Sequence, residues 1–519
     1  MSLETPSRRK LLQLSGALSL LGPSMAPFAL QMAATGAAAG LGVAPDYKAL
    51  ICVFQYGGND SNNTVLATDA DSWGRYFAAR NTGQDPIALM PVGTAATAVG
   101  QVNPVTGRTV TSAAQPEAWG GVLPFTPKTA QAVPAGTKAS SRTFALHPAL
   151  SPLMPLFSQG RLAILANVGT LAGPLTKAQY VAKSAPIPKN LFSHNDQQST
   201  WQAGTIEGAV TGWGGRFGDL VLSGNGANTI FTAISTSGNA VFLSGNQVVQ
   251  YQSTTRTLPA LAVNGVSSSS LLGSSAAPAI LQSLISDISP ASNFSSDYAT
   301  VVQRSLNAAT TLNGAMAGVA VKGVPAVPTY LNPVTGATVT NSLADQLNTV
   351  ARIIAAAPGL GIKRQVFFVS IGGHDTHDAQ NTAQPNNLSM LANAMAYFDG
   401  AMSNLGGIDM RSAVTLFTAS DFSRTFTTNG DGTDHAWGGH HFILGGAVKG
   451  GDMYGQYPTL GVDSATFTNP DMTGNAIIPT TSVDQYAATL GKWFGVGTSD
   501  LATIFPNLQS YATPILNFI

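Results

Sequence analysis

The chain has 519 residues, a formal net charge of zero, and 10% charged against 44% apolar residues. That balance gives nucleic acid and acidic membrane surfaces no electrostatic footprint, while the apolar fraction is enough for a large core. One cysteine, Cys52, excludes an intramolecular disulfide, and the polar but uncharged remainder suits an exported protein with long decorated loops.

Ser7-Arg8-Arg9-Lys10-Leu11-Leu12 is a paired-arginine signal followed by the moderately apolar run LLQLSGALSLLGPSMAPFAL. Gln13, two glycines and Pro23 interrupt that run, making it a poor permanent span. The pattern resembles a twin-arginine export signal with small residues near GAAAG as a cleavage region. Residues 1–43 are therefore expected to be the signal, with delivery to the periplasm or the extracellular side. No transmembrane span is expected in the mature protein, and residues 44–519 are read as a single domain.

Lys48-Ala49-Leu50-Ile51-Cys52-Val53-Phe54 reads as a fully buried strand ending in the turn Gly57-Gly58. Cys52 lies inside that run, as a structural thiol. Residues 92–142 are rich in Gly, Ser, Thr and Ala, with hairpin-like alternation. Within them VNPVTGRTVTS resembles LNPVTGATVTN at 331–341, and both read as surface hairpins. His147 in ALHPAL reads as a hydrogen-bonded loop histidine. A second buried strand is expected at 161–166, and Ser193 stands at a loop-to-helix transition. Residues 207–340 share the composition of 92–142. A third strand, 365–370, and a fourth, 413–418, follow, with the helical patterns NSLADQLNTVARIIAAA and NNLSMLANAMAYFDGAMSNL around the third. The alternation predicts an α/β fold: a mainly parallel central sheet with helices on both faces, carrying β-rich insertions near 92–142 and 207–340.

Ligands of open α/β sheets bind beyond the carboxyl ends of the strands. The first strand runs into Asn59-Asp60-Ser61-Asn62-Asn63, the third into His374-Asp375-Thr376-His377-Asp378, and the fourth into Asp421-Phe422-Ser423-Arg424. An aspartate after a strand is more often a helix N-cap. Three such ends, together with Thr433-Asp434-His435, shift the balance towards a metal. Crowded carboxylates need a counter-charge; a divalent cation is the simplest, and His377 and His435 supply imidazoles of the kind zinc and manganese accept. Ser193 either caps its helix or attacks as an alkoxide. His194 is a ligand, a base or a substrate contact. Arg424 either meets a phosphate or sulfate oxyanion or pairs with Asp421 or a neighbouring carboxylate. If HHFIL is a strand, His440 and His441 point to opposite faces, one of them towards the site. Trp201, Trp213 and Trp493 read as packing residues.

QYGGNDSNN, RTFALHPALSPLMPLFSQGRLAILANVG, LFSHNDQQSTWQAG, GGHDTHDAQ and SDFSRTFTTNGDGTDHAWGGHHFILGGAV resemble the exported bacterial family called domain of unknown function 1501, as does the ending TSVDQYAATLGKWFGVGTSDLATIFPNL. That family in turn resembles a remote branch of the alkaline phosphatase and sulfatase superfamily. The resemblance implies an alkaline phosphatase-like sandwich with one or two divalent ions, zinc or manganese before calcium or magnesium. It implies Asp60, Asp375, His377, Asp421 and His435 as ligands and Ser193 as nucleophile, with His194 and Arg424 in catalysis. Asn59, Asn63 and Asp434 would surround the ligands, Asp434 by orienting His435. Phe422 stands where the superfamily has a histidine. The expected function is metal-dependent hydrolysis of phosphate or sulfate esters, on a small-molecule or polymeric substrate. The alternative is a secreted or surface-associated scaffold with a cell-surface partner and one structural ion, favoured by Phe422 and the long insertions.

Overall fold

The computed structural model describes residues 46–519 except 136, 256–265, 267–268, 288–292, 319–320 and 322. The export signal expected at 1–43 lies outside the described residues. A nine-stranded sheet organises the chain: β1 (Lys48–Gln55), β2 (Leu162–Gly169), β3 (Ala233–Ser235), β4 (Tyr251–Gln252), β5 (Arg364–Ile371), β6 (Val414–Ser420), β7 (Gly439–Leu444), β8 (Met453–Tyr454) and β9 (Thr481–Ser482). Their order is β8-β2-β7-β6-β1-β5-β3-β4, with β9 also paired to β2. β1 runs parallel to both neighbours, Cys52 standing opposite Phe368 of β5 and Phe417 of β6. Among the described strands of this sheet only β7 runs against the rest. The sheet is therefore mainly parallel, as the apolar runs predict.

The period-two geometry of a strand splits each run between two cores. Ala49, Ile51 and Val53 of β1 join the core that holds the apolar faces of α4 (Ser342–Leu360) and α5 (Gln380–Ser403). Leu50, Cys52 and Phe54 join the other core, with Trp213 and Phe217 of α3 (Trp213–Val221) and Tyr486 and Leu490 of α6 (Val483–Phe494). Helices cover both faces, which explains why these strands carry no polar alternation. Asn341 starts α4 by accepting from the Ala344 N–H, and Gly361 at φ +66° ends it.

The two NPVTG pieces fold alike. Asn103 and Asn332 each accept from the backbone N–H groups two and three residues on, and Gly107 and Gly336 take φ of +69° and +68°. Both are hairpins, the first closed by a Val102–Thr109 bridge and the second by Tyr330–Leu331 against Thr338–Val339. The wider expectation of β-rich insertions needs correction. In 92–142 the strand is short, Leu123–Phe125, in a small antiparallel sheet with Val65–Ala67 and Phe144–Leu146. Residues 207–340 supply α3, β3 and β4 of the main fold and the helices Ala277–Ile285 and Asn293–Ala315. The longer helix buries Ala308, Leu312 and Ala315 at helical spacing; with alanine filling the stripe, its composition resembles a loop. No helix among the described residues is long and apolar enough to cross a membrane.

Candidate metal centre

Because β1 lies between β5 and β6, the three loops leaving their carboxyl ends meet. Gly57 turns the chain just after β1 at φ +110°, and a Cβ there would lie 2.4 Å from the Asp375 backbone nitrogen, so only glycine lets the turn rest on the β5 loop. Its N–H donates to Asp421 Oδ2 at 3.2 Å and its carbonyl accepts from Arg424 Nη1 at 3.3 Å. One turn thereby joins residues of all three strand ends.

Asp375 is the centre of the group. Its Oδ1 lies 3.1 Å from His377 Nε2 and 3.2 Å from His435 Nε2, and its Oδ2 lies 3.3 Å from His194 Nε2. The two Nε2 atoms of His377 and His435 are 2.9 Å apart. Each ring has its other nitrogen committed to an acceptor. His194 Nδ1 donates to Asp421 Oδ2 at 2.6 Å, His435 Nδ1 to the Phe192 carbonyl at 2.7 Å, and His377 Nδ1 to Asp434 Oδ1 at 3.1 Å. A carbonyl or carboxylate only accepts, so the proton of each neutral ring belongs on Nδ1 and Nε2 is left as a bare lone pair. Three such nitrogens and a carboxylate therefore face one another as acceptors.

That arrangement is unfavourable without a proton or cation between them. Metal-ligating histidines are held in this way, with the second nitrogen on a carboxylate or carbonyl. Ligand atoms of His194, Asp375 and His435 all lie within 4.8 Å of one another. Metal–nitrogen bonds of about 2.0–2.1 Å would bring donors on one ion to roughly 3–3.5 Å apart. Asp421 Oδ1 and His194 Nε2 are buried without a hydrogen-bond partner, as atoms that a bound cation would satisfy. The residues present therefore fit a divalent ion.

Electrostatics follow from these contacts. The Asp421 hydrogen bond raises the His194 pKa above the usual imidazole value against the opposing effect of burial. Burial dominates at His435 and lowers its pKa. At Asp375 burial opposes the charge, but the hydrogen bond and charge of Arg424, with His194 and His377, hold it below the usual carboxylate range.

Several expected roles change. Asp60 does not join the cluster. Its carboxylate is completely buried and takes Arg80 Nη1 at 2.5 Å and Nη2 at 3.0 Å, Gln380 Nε2 at 2.6 Å and the Asn62 N–H at 3.1 Å. Its acceptors are taken, so it supports the loop instead of facing an ion. Asn63 belongs to the same network through Arg80 and Tyr76, and Asn59 bonds Thr64 and Ser420. Asp421 reaches the group through His194. Asp434 orients His377, whereas His435 is held by the Phe192 carbonyl. Arg424 is buried against Asp375, Gly57 and Thr433, the carboxylate-pairing alternative. Phe422 packs 4.8 Å from the His194 ring and 4.6 Å from the His435 ring, centroid to centroid, as an apolar wall.

Ser193 is the N-cap residue of α2 (His194–Ala203), yet its hydroxyl caps no backbone group and donates to Asp196 Oδ2 at 2.8 Å. His440 and His441 do alternate, but neither reaches the cluster: His440 stacks on Tyr457 and His441 meets Trp201. His147 accepts from the Ala149 N–H as a structural cap.

Sequence reasoning missed Gln198, Phe192, Arg80 and Gln380. Gln198 donates to Asp421 Oδ2 at 2.8 Å, and its signal is the four-residue helical spacing from His194. Phe192 acts through its backbone at φ +71°, a conformation a bulky residue rarely adopts. Arg80 and Gln380 carry no local signal.

The family described as protein of unknown function (DUF1501) matches residues 47–505. No curated protein and no solved structure matches the chain.

Proposed function

The chain belongs to the DUF1501 family, whose description assigns no activity, and from the site itself we propose an exported, metal-dependent hydrolase of phosphate or sulfate esters, of the alkaline phosphatase and sulfatase type. The observation that carries this reading is the ring of acceptors formed by His194, His377, His435 and Asp375. Three imidazoles and one carboxylate suit zinc or manganese better than calcium or magnesium. Bound there, such an ion supplies Lewis-acid charge to the ester oxygen and favours ionisation of a nearby hydroxyl. Export follows the twin-arginine route, to the periplasm or the cell exterior.

The chain's own residues divide the remaining work. Asp421, Asp434 and the Phe192 carbonyl hold the three rings, Arg424 holds Asp375, and Phe422 keeps water from one side. Ser193, at the start of α2 beside His194, attacks phosphorus or sulfur through Oγ. Its proton passes to Asp196, which already accepts from it, and the positive end of the helix favours the anion. The bond from phosphorus or sulfur to the leaving oxygen breaks, and the departing alcohol takes up a proton. Water then cleaves the seryl ester, releasing phosphate or sulfate and restoring the hydroxyl.

Elemental analysis of the purified protein, combined with a phosphatase, phosphodiesterase and sulfatase panel, tests this reading. Wild type is expected to carry a divalent ion and cleave an ester. Asp375→Ala and His435→Ala should lose the ion, and Ser193→Ala should keep it but lose turnover. Absence of both ion and cleavage, even with added Zn²⁺, Mn²⁺ or Ca²⁺, defeats the reading. An ion held without turnover favours the scaffold alternative, for which the inward commitment of Arg424 speaks.

A further inference from the structure

We infer that this site, on the hydrolase reading above, prefers esters whose reacting group carries one negative charge, namely phosphodiesters and sulfate monoesters, over phosphate monoesters, which carry two. The reason is where the positive charge is spent. The two guanidiniums around the cluster face inward. The Arg424 side chain is 0% exposed, with Nη1 on Asp375 at 2.7 Å and Nη2 on the Thr433 carbonyl at 2.5 Å. The Arg80 side chain is also 0% exposed, paired with Asp60 and bonded to the Thr425 and Phe426 carbonyls. Neither has a hydrogen-bond donor aimed at a substrate.

The most exposed members of the cluster and its supports are acidic or neutral. Side-chain exposure is 45% for Asp375, 58% for Asp434 and 45% for His377. With neutral imidazoles, the charges of one divalent ion and two arginines are cancelled by Asp60, Asp375, Asp421 and Asp434. A singly charged ester would find its counter-charge in an ion held by His194, His377, His435 and Asp375. A second negative charge would find no further cation among these groups and would meet Asp434 at the rim, a repulsion that weakens with distance and solvent but does not vanish.

The preference is measured on the metal-loaded full-length protein with 4-nitrophenyl phosphate, bis(4-nitrophenyl) phosphate and 4-nitrophenyl sulfate. At about pH 8 a phosphate monoester, with its second pKa near 6, is a dianion. The kcat/KM for at least one singly charged ester is expected to exceed that for the monoester by roughly tenfold or more. The variant Asp434→Asn keeps a side-chain oxygen for His377 Nδ1 but removes one negative charge, so it should narrow the ratio by roughly three- to tenfold. Fastest turnover of the monoester, or an unchanged ratio in Asp434→Asn, overturns the preference alone. A metal-loaded protein that cleaves none of the three overturns the hydrolase reading and the preference with it.

Discussion

Each imidazole of the cluster has one nitrogen tied to an acceptor and one facing Asp375; on the proposed metal site, those acceptors set affinity by fixing ring orientation. Asp421→Ala removes the acceptor of His194 Nδ1 and is expected to weaken Zn²⁺ binding about 10–100-fold, read by calorimetric titration. Undiminished affinity in this variant would remove Asp421 from the supporting role. Asp375, His377 and His435 were legible in the sequence because they follow buried strands or precede one. Asp60 shares that signature, but its carboxylate is spent on Arg80 and Gln380, and Asp421 commits its Oδ2 to His194. What separates them is the partner each meets: Arg80, 20 residues away, for Asp60, and His194, 227 residues away, for Asp421. Those pairings arise only when the strands align, so spacing along the chain does not encode them. The same holds for Phe192, whose contribution is a carbonyl and not a side chain.

Elements buried on two faces were the easiest to read, since ALICVF and QVFFVS leave no room for another assignment. β3 and β4 were not legible, because at three and two residues they are too short to show a period. Helix α6 carries a measurable cost of burial. Asp484 lies in its first turn, and burial pushes its carboxyl up to about 6 despite the Asn507 hydrogen bond and the Arg216 charge. A carboxyl pKa raised above the unfolded value of about 4 leaves the folded state holding the extra proton. The penalty is absent below about pH 4, grows between about 4 and 6, and stays constant above. Asp484→Asn should therefore stabilise the fold by an amount of order 1–3 kcal/mol at neutral pH and by nothing near pH 4. Urea unfolding at the two pH values checks this; an equal gain at both would assign the effect to packing.

Across the whole molecule, buried histidines make the fold sensitive to acid. Burial lowers His147, His374, His440 and His441 to about 3 each, with the charge of Arg424 adding to the effect at His374 and those of His441 and Arg142 at His440. Their folded values lie below the unfolded value of about 6.5, so their contribution is complete above that pH and is lost as pH falls towards 3. With a chelator present to remove any metal effect, stability should fall by roughly 1.4 kcal/mol per pH unit for each histidine below about pH 6. Chemical unfolding at a series of pH values measures it. A curve flat from pH 6 to 4 would mean that the four rings are charged in the native state.

The lone Cys52 is 2% exposed, and burial raises its thiol well above the ordinary value, which leaves it inert to labelling reagents. The twin hairpins, by contrast, turn at Gly107 and Gly336, where an added Cβ meets nothing within 4 Å. The chain is thus a ready-made single-label background: one thiol placed at an exposed tip position such as Thr335 would be the sole reactive group. A spin or fluorescent probe there, read against a paramagnetic ion in the cluster, would turn the molecule into its own ruler for following how the insertions move as the site fills.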